Sequence, residues 1–206
     1  MTEKNVEVTD TDSDNAVNVD SVSESETNDQ TKYRLLSKDD LKGKDRYVYF
    51  YGKASAFSQH HKCEFEIDGI KFCCAEQYMM YMKAVTFGDE VMKKAILEST
   101  QPVEMKRCGR KVKNFDPEKW NEKAIDIVKK GNAAKFSQNN DLQKELFDTY
   151  PKILVEASPR DRRWGIGMSG KNEKAWDSKT WRGKNLLGYA LTDVRDELMR
   201  DEDLID

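Results

Sequence analysis

The chain has 206 residues, of which 37% are hydrophobic, 35% charged and 10% aromatic, with a formal net charge of −3. That length suits one domain with tails, and so large an aromatic share excludes a chain that is disordered throughout. No apolar run reaches membrane length and no secretory leader is visible, so an intracellular protein, cytoplasmic or nuclear, with reduced cysteines and no membrane contact is expected.

Residues 1–31 hold nine acids, one base (Lys4) and no aromatic. Such a segment cannot bury enough apolar surface to offset the entropy of ordering it, and an acidic disordered tail is predicted over 1–32. The end, "DELMRDEDLID", is acidic again, with a tail expected at 201–206 and a single domain over 33–200. Residues 32–195 carry 33 Lys and Arg against 23 Asp and Glu, a formal +10. A body of that sign attracts an anion such as a phosphorylated metabolite, a nucleotide or a nucleic acid, or else it balances the acidic ends for solubility.

"RYVYFY" at 46–51 reads as a strand, and "CEFEIDGIKFCC" alternates on both sides of Asp68-Gly69, a hairpin signal. "QHHKC" brings His60, His61 and Cys63 together but lacks a second ligand pair at fixed spacing, so no metal is expected there. Helical patterns follow at Ala75 to Thr86, at "VMKKAILES" and at "PVEMKRCGRKV". A long helix begins at "DPEKW", where Asp116 caps and Pro117 takes the first position, and runs to about Phe136 with Gly131 as its weak point. "NNDLQKELFDTY" is a short helix and "KILVEAS" a buried strand. "LLGYALTDVRDELM" closes the domain as a helix, with Asn185 as candidate cap. Strands and helices do not alternate regularly, so the class is α+β, mostly α-helical, one compact domain with a small β-hairpin or sheet.

In "CAEQYMMYMKA" the apolar residues surround the helical wheel, which predicts an enclosed helix. Glu76 and Lys83 are seven positions apart on it and share one face, about 10 Å apart along the axis. Side chains lean toward the helix N-terminus, which aims Lys83 back toward Glu76. Two readings follow: a structural ion pair or snorkelling charges, or a cleft wall where desolvation lowers the lysine pKa and yields an amine nucleophile. "EASPRDRRWGIG" favours the cleft. Gly165 and Gly167 admit a ligand to the backbone, Arg160 and its neighbours suit phosphate, Trp164 offers a stacking face, and Asp161 is a second candidate acid or base. Asn185 opens the last helix, whose N-terminus suits an anion.

Together, "FYGKASAFSQHHKCEFEIDGIKFCCAEQYMMYMKAVTFGD", "GRKVKNFDPEKWNEKA", "AAKFSQN", "LVEASPRDRRWGIG" and "WRGKNLLGYALTDVRDEL" resemble the NADAR family, also called YbiA-like, over roughly 47–199. Gln59 departs from the Asn usual after Ser58, which leaves Ser58 a less secure substrate contact. The resemblance implies a mostly α domain that cleaves N-glycosidic bonds, with Lys83 the nucleophile and Glu76 and Asp161 assisting. A lysine in an apolar helix further suggests imine exchange at ribose C1 through a Schiff base, with no metal or cofactor expected. Trp120 and Trp164 line the pocket, with Gly165 and Gly167 beside the ligand. The implied substrates are guanine carrying ADP-ribose on its exocyclic amine, in DNA or RNA, or phosphoribosylamino-pyrimidine intermediates of riboflavin synthesis. A module that only binds ADP-ribose or a nucleotide is the non-enzymatic alternative.

Overall fold

The computed structural model describes residues 32–34 and 36–206, so the acidic stretch 1–31 lies outside the described residues. The architecture is α+β and mostly helical. A strand β1 (Tyr47–Phe50) precedes a hairpin of β2 (Phe65–Ile67) and β3 (Ile70–Phe72). Then come α1 (Ala75–Thr86), α2 (Glu90–Glu98), α3 (Pro102–Arg110), α4 (Pro117–Ser137), α5 (Asn140–Phe147), β4 (Ile153–Glu156) and α6 (Leu186–Asp201). Short 3-10 turns lie at Gly43–Arg46, Glu173–Trp176 and Ser178–Thr180, the last two capped by the Asn172 and Asp177 side chains.

The hairpin forms where Asp68-Gly69 predicts it. Both residues take positive φ, 53° and 77°, as a two-residue turn requires, and Phe65 pairs with Phe72 and Ile67 with Ile70. The other strand pair could not be read locally: β1 lies parallel to β4, with Tyr47 opposite Ile153 and Phe50 opposite Glu156. A parallel pair needs a long crossover, and here all the intervening helices supply it.

Helix α1 is the axis of the domain, and its N-terminal half is enclosed: Ala75, Tyr78, Met79 and Met80 are buried, together with Glu76, Gln77 and, further on, Ala84. Tyr81 and Met82, by contrast, are half-buried and Val85 is exposed. Two glycines let neighbouring helices come close. A Cβ on Gly109 of α3 would stand 2.1 Å from Met80 Sδ, and one on Gly131 of α4 would stand 2.6 Å from Tyr78 Cδ1. Gly131 is therefore a packing notch, and α4 runs through it unbroken from its Asp116 cap, whose carboxylate accepts from the amides of Glu118 and Lys119. Gln77 ties α1 to α2: its Nε2 donates to the carbonyls of Ile96, Leu97 and Ser99, at 3.0, 3.2 and 3.1 Å. Carbonyls at a helix end run out of intrahelical donors; the Ile96 carbonyl also accepts from the Ser99 amide at 3.3 Å, and the Gln77 amide reaches all three.

Helix α6 crosses α4 and β4, burying Leu187, Ala190, Leu191 and Val194. The acidic end of the chain does not hang free after α6. Ile205 is buried beside Tyr33, Phe147 and Met199, and the Leu204 amide donates to the Met199 carbonyl at 2.8 Å.

Candidate active site

A cleft of about 600 Å³ opens where β1 and β4 end side by side. That is the usual place for a ligand in folds with parallel strands, since chain leaving two adjacent strand ends must diverge. Its walls are chain after β1 (Tyr51 to Lys53, Ser58 to His60), α1 (Glu76, Met79, Met80), Lys106 of α3, and chain leaving β4 (Glu156, Asp161, Arg163, Trp164). The volume falls in the range of about 300–1,000 Å³ typical of small-molecule sites.

Glu76 enters from the first turn of α1, 4% exposed, with its backbone amide fixed to the Gln59 carbonyl at 2.9 Å. Its Oε2 lies 3.6 Å from His60 Nε2, and its Oε1 has no hydrogen-bond partner among the described residues. Both polar atoms of the Gln59 side chain are also buried without a partner among the described residues. Buried polar atoms without hydrogen bonds are costly, so their concentration in one cleft marks where ligand atoms fit.

Asp161 is in the cleft, but one of its oxygens shapes its own loop, with Oδ1 accepting from the amides of Arg163 at 2.9 Å and Trp164 at 2.8 Å. This turn presents Trp164 to the cleft and lays the Arg163 guanidinium 5.5 Å from the indole centroid. Ser58 lines the cleft, and its Oγ accepts from the His60 amide at 3.2 Å.

Lys83 is placed differently. It follows Met79 and Met80 on the same face of α1, half-buried, and is not among the residues lining the cleft. Its Nζ rests 3.8 Å from the Phe115 ring centroid and 5.9 Å from that of Trp120. No ion pair forms between Lys83 and Glu76, so the structural pairing considered for them is absent among the described residues. Burial pushes the Lys83 amine below its ordinary value. Trp120 is 6% exposed, belongs to the core, and reaches the site only as a face for Lys83.

Besides Trp120, four further expected binding residues stand outside the cleft lining. Arg160 is exposed to solvent. Gly165 and Gly167 are packing positions: a Cβ on Gly165 would meet the Glu156 carbonyl oxygen at 2.7 Å, and Gly167 has φ +68° beside Arg162 and Arg182. Asn185 occupies the position before α6 with left-handed φ 53° and ψ 34°, but its side chain makes no cap bond there. It turns to β4 instead, where Oδ1 accepts from the Glu156 amide and Nδ2 donates to the Leu154 carbonyl, both at 3.0 Å. One of its two N–H donors is thus spent on the strand, and the residue is 0% exposed, so the side chain is not presented to an anion.

Two cleft residues escaped the sequence reading. His60 reads as an ordinary loop histidine because Glu76 is far from it in the chain. Glu156 reads as part of a buried strand. Its signal was a carboxylate closing an apolar run just before Ser158-Pro159, where a parallel strand ends.

The NADAR domain model matches residues 49–199. The chain is 42% identical over 164 residues to N-glycosidase R617 of Acanthamoeba polyphaga mimivirus, covering 74% of this chain and 96% of that protein. It is 29% identical over 158 residues to the chloroplastic riboflavin biosynthesis protein PYRR of Zea mays, covering 72% of this chain and 24% of that protein. The NMR structure of the E. coli protein YbiA superposes with a TM-score of 0.63 at 26% identity, covering 84% of this chain and 92% of that one. With the family model running from β1 to within α6, and so across every wall of the cleft, the chain belongs to the NADAR domain family.

Proposed function

We propose that this N-glycosidase removes ADP-ribose from the exocyclic amine of guanine in nucleic acid, with Lys83 as the nucleophile. The observation that carries the reading is an amine pushed down by burial, unpaired with any carboxylate among the described residues, on the helix face that also bears Glu76. An amine nucleophile must be uncharged, and burial, by disfavouring the ammonium, raises the share of free amine.

In such a substrate ribose C1 is bonded to a nitrogen that still carries a hydrogen. The sugar ring can open to an imine, Lys83 adds to C1, and the guanine departs with its amine restored. Water then releases the sugar from the lysine. A nucleoside nitrogen within an aromatic ring has no hydrogen to lose and resists this route, which makes the chemistry selective for exocyclic amines. The step requires the Lys83 amine to leave the Phe115 face and turn along α1 toward Glu76. The formal +10 of residues 32–195, with Lys53, Lys106 and Arg163 at the cleft, favours a polyanionic substrate whose attraction fades with salt.

The likeness to the maize riboflavin biosynthesis protein favours a second reading, in which the same chemistry acts on phosphoribosylamino-pyrimidines. Pure protein incubated with each substrate, at low and moderate salt, separates the two. Borohydride added during turnover is expected to trap sugar on Lys83, and Lys83→Ala to lower kcat by about 10³-fold or more. Full turnover by Lys83→Ala would refute the lysine route. Ligand-induced thermal stabilisation without cleavage of either substrate would leave a binding module in place of an enzyme.

A further inference from the structure

Three independent contacts hold the backbone of Glu156. Its amide donates to Asn185 Oδ1 at 3.0 Å, and its carbonyl accepts from the Ile166 amide at 2.9 Å. Gly165 packs so closely that any Cβ there would lie 2.7 Å from that carbonyl oxygen and 3.0 Å from Glu156 Cγ. Two residues expected to touch the ligand, Gly165 and Asn185, thus converge on this one glutamate. The side chain then points into the cleft, where no hydrogen bond or ion pair engages its carboxyl among the described residues. The other two cleft acids are less free, since Asp161 accepts two backbone amides and Glu76 faces His60.

We propose that Glu156 is the catalytic acid and base of the glycosidase reaction, giving one proton as the base departs and recovering it from water. This deepens the lysine route above and rests on it for the order of steps. Forming the lysine adduct breaks the bonds from C1 to nitrogen and to the ring oxygen, and each of those atoms gains a hydrogen. Lys83 gives up one of the two on becoming a protonated imine, so one further proton is needed, and Glu156 supplies it. Water adding to C1 restores the Lys83 amine, leaves the sugar as its aldehyde, and releases one proton to the Glu156 carboxylate. The sugar then recloses to ribose, and both residues are as they began.

The surroundings suit a group that must give and take a proton near neutrality. Burial pushes the Glu156 carboxyl up to about 7, with Asp161 adding to the rise while His60 and Lys106 oppose it. The other charged groups facing the cleft are Glu76 from α1, Lys53 from the chain after β1, and Arg163 from the loop after β4.

The test uses the full chain with an ADP-ribosyl-guanine oligonucleotide or a phosphoribosylamino-pyrimidine, whichever turns over. Glu156→Gln keeps the shape and removes the proton, and it is expected to lower kcat by about 10²–10⁴-fold. An acid must be protonated to act, so the wild-type rate falls on the alkaline side, and that fall is expected to vanish in Glu156→Gln. Glu156→Asp shortens the reach but keeps the carboxyl, so it is expected to retain the alkaline fall at an intermediate rate. A Glu156→Gln enzyme with the same alkaline fall, or within about threefold of wild-type kcat, overturns the proposal, as does a Glu156→Asp enzyme that lacks the fall. Borohydride trapping in the wild type judges the lysine route separately. Trapping with an unchanged Glu156→Gln profile removes only Glu156, whereas failed trapping with a changed profile removes only Lys83.

Discussion

Lys83 on α1 and Lys135 on α4 have similar sequence surroundings, "YMKAV" and "AAKFS", yet the fold uses them in opposite ways. Lys135 is 0% exposed, and its ammonium donates to the carbonyls of Ala56 and Ser58, the second at 3.1 Å. Burial pushes its amine down to about 8, while those two acceptors favour the charged form. Lys83 meets aromatic faces and, among the described residues, no carbonyl accepts its hydrogens. Burial depresses both amines, but what surrounds their hydrogens differs, so burial alone does not describe either site. The two are also linked through the site, because the carbonyls that Lys135 holds belong to the loop carrying Ser58, Gln59 and His60 into the cleft.

The comparison can be broken by replacing each lysine with methionine. Lys135→Met leaves two carbonyls without their donor, at a cost of about 1–3 kcal/mol for each buried group, and a total loss of about 2–5 kcal/mol in urea unfolding is expected. Lys83→Met is expected to stay within about 1 kcal/mol of wild type, since it trades a cation–π contact for apolar packing. Equal losses would end the distinction between them.

Alkaline titration sharpens it. The folded Lys135 value, about 8, lies below the ordinary 10.5, so between those two the unfolded chain binds more protons than the folded one. Stability relative to Lys135→Met is then expected to rise with pH across that window, by on the order of 1–3 kcal/mol in total, and to be flat below it. A relative stability that falls as pH rises through the window would mean that the two carbonyls outweigh burial. The smallest effect concerns the ring under Lys83: Phe115→Leu is expected to cost less than about 1 kcal/mol, and to quicken modification of Lys83 by an amine reagent measured by mass spectrometry.

Much of the scaffold was legible because its signals are local. Asp68-Gly69 needs only its own backbone to define a hairpin, and Asp116-Pro117 needs only the next turn to start α4. The site was legible in part. Glu76, Asp161, Ser58 and Trp164 do meet in one cleft, while Lys83 sits a turn beyond it against Phe115. Asn185 shows what the chain hides. Its position before α6 follows from residue type, but the left-handed backbone that turns its amide onto β4 depends on a strand some thirty positions earlier. Glu156 and His60 were missed for the same reason, since neither acquires chemical meaning until distant segments converge.

The pairing of β1 with β4 joins stretches separated by about a hundred positions, and the cleft lies at the end of that pair. Closing so long a loop costs more chain entropy than forming a local helix or the hairpin. On the ribosome, the emerging polypeptide has no working centre until its final third has been synthesised. A fragment ending before β4 would keep Glu76 and Lys83 yet have nothing opposite them, so catalytic competence arrives together with the completed domain.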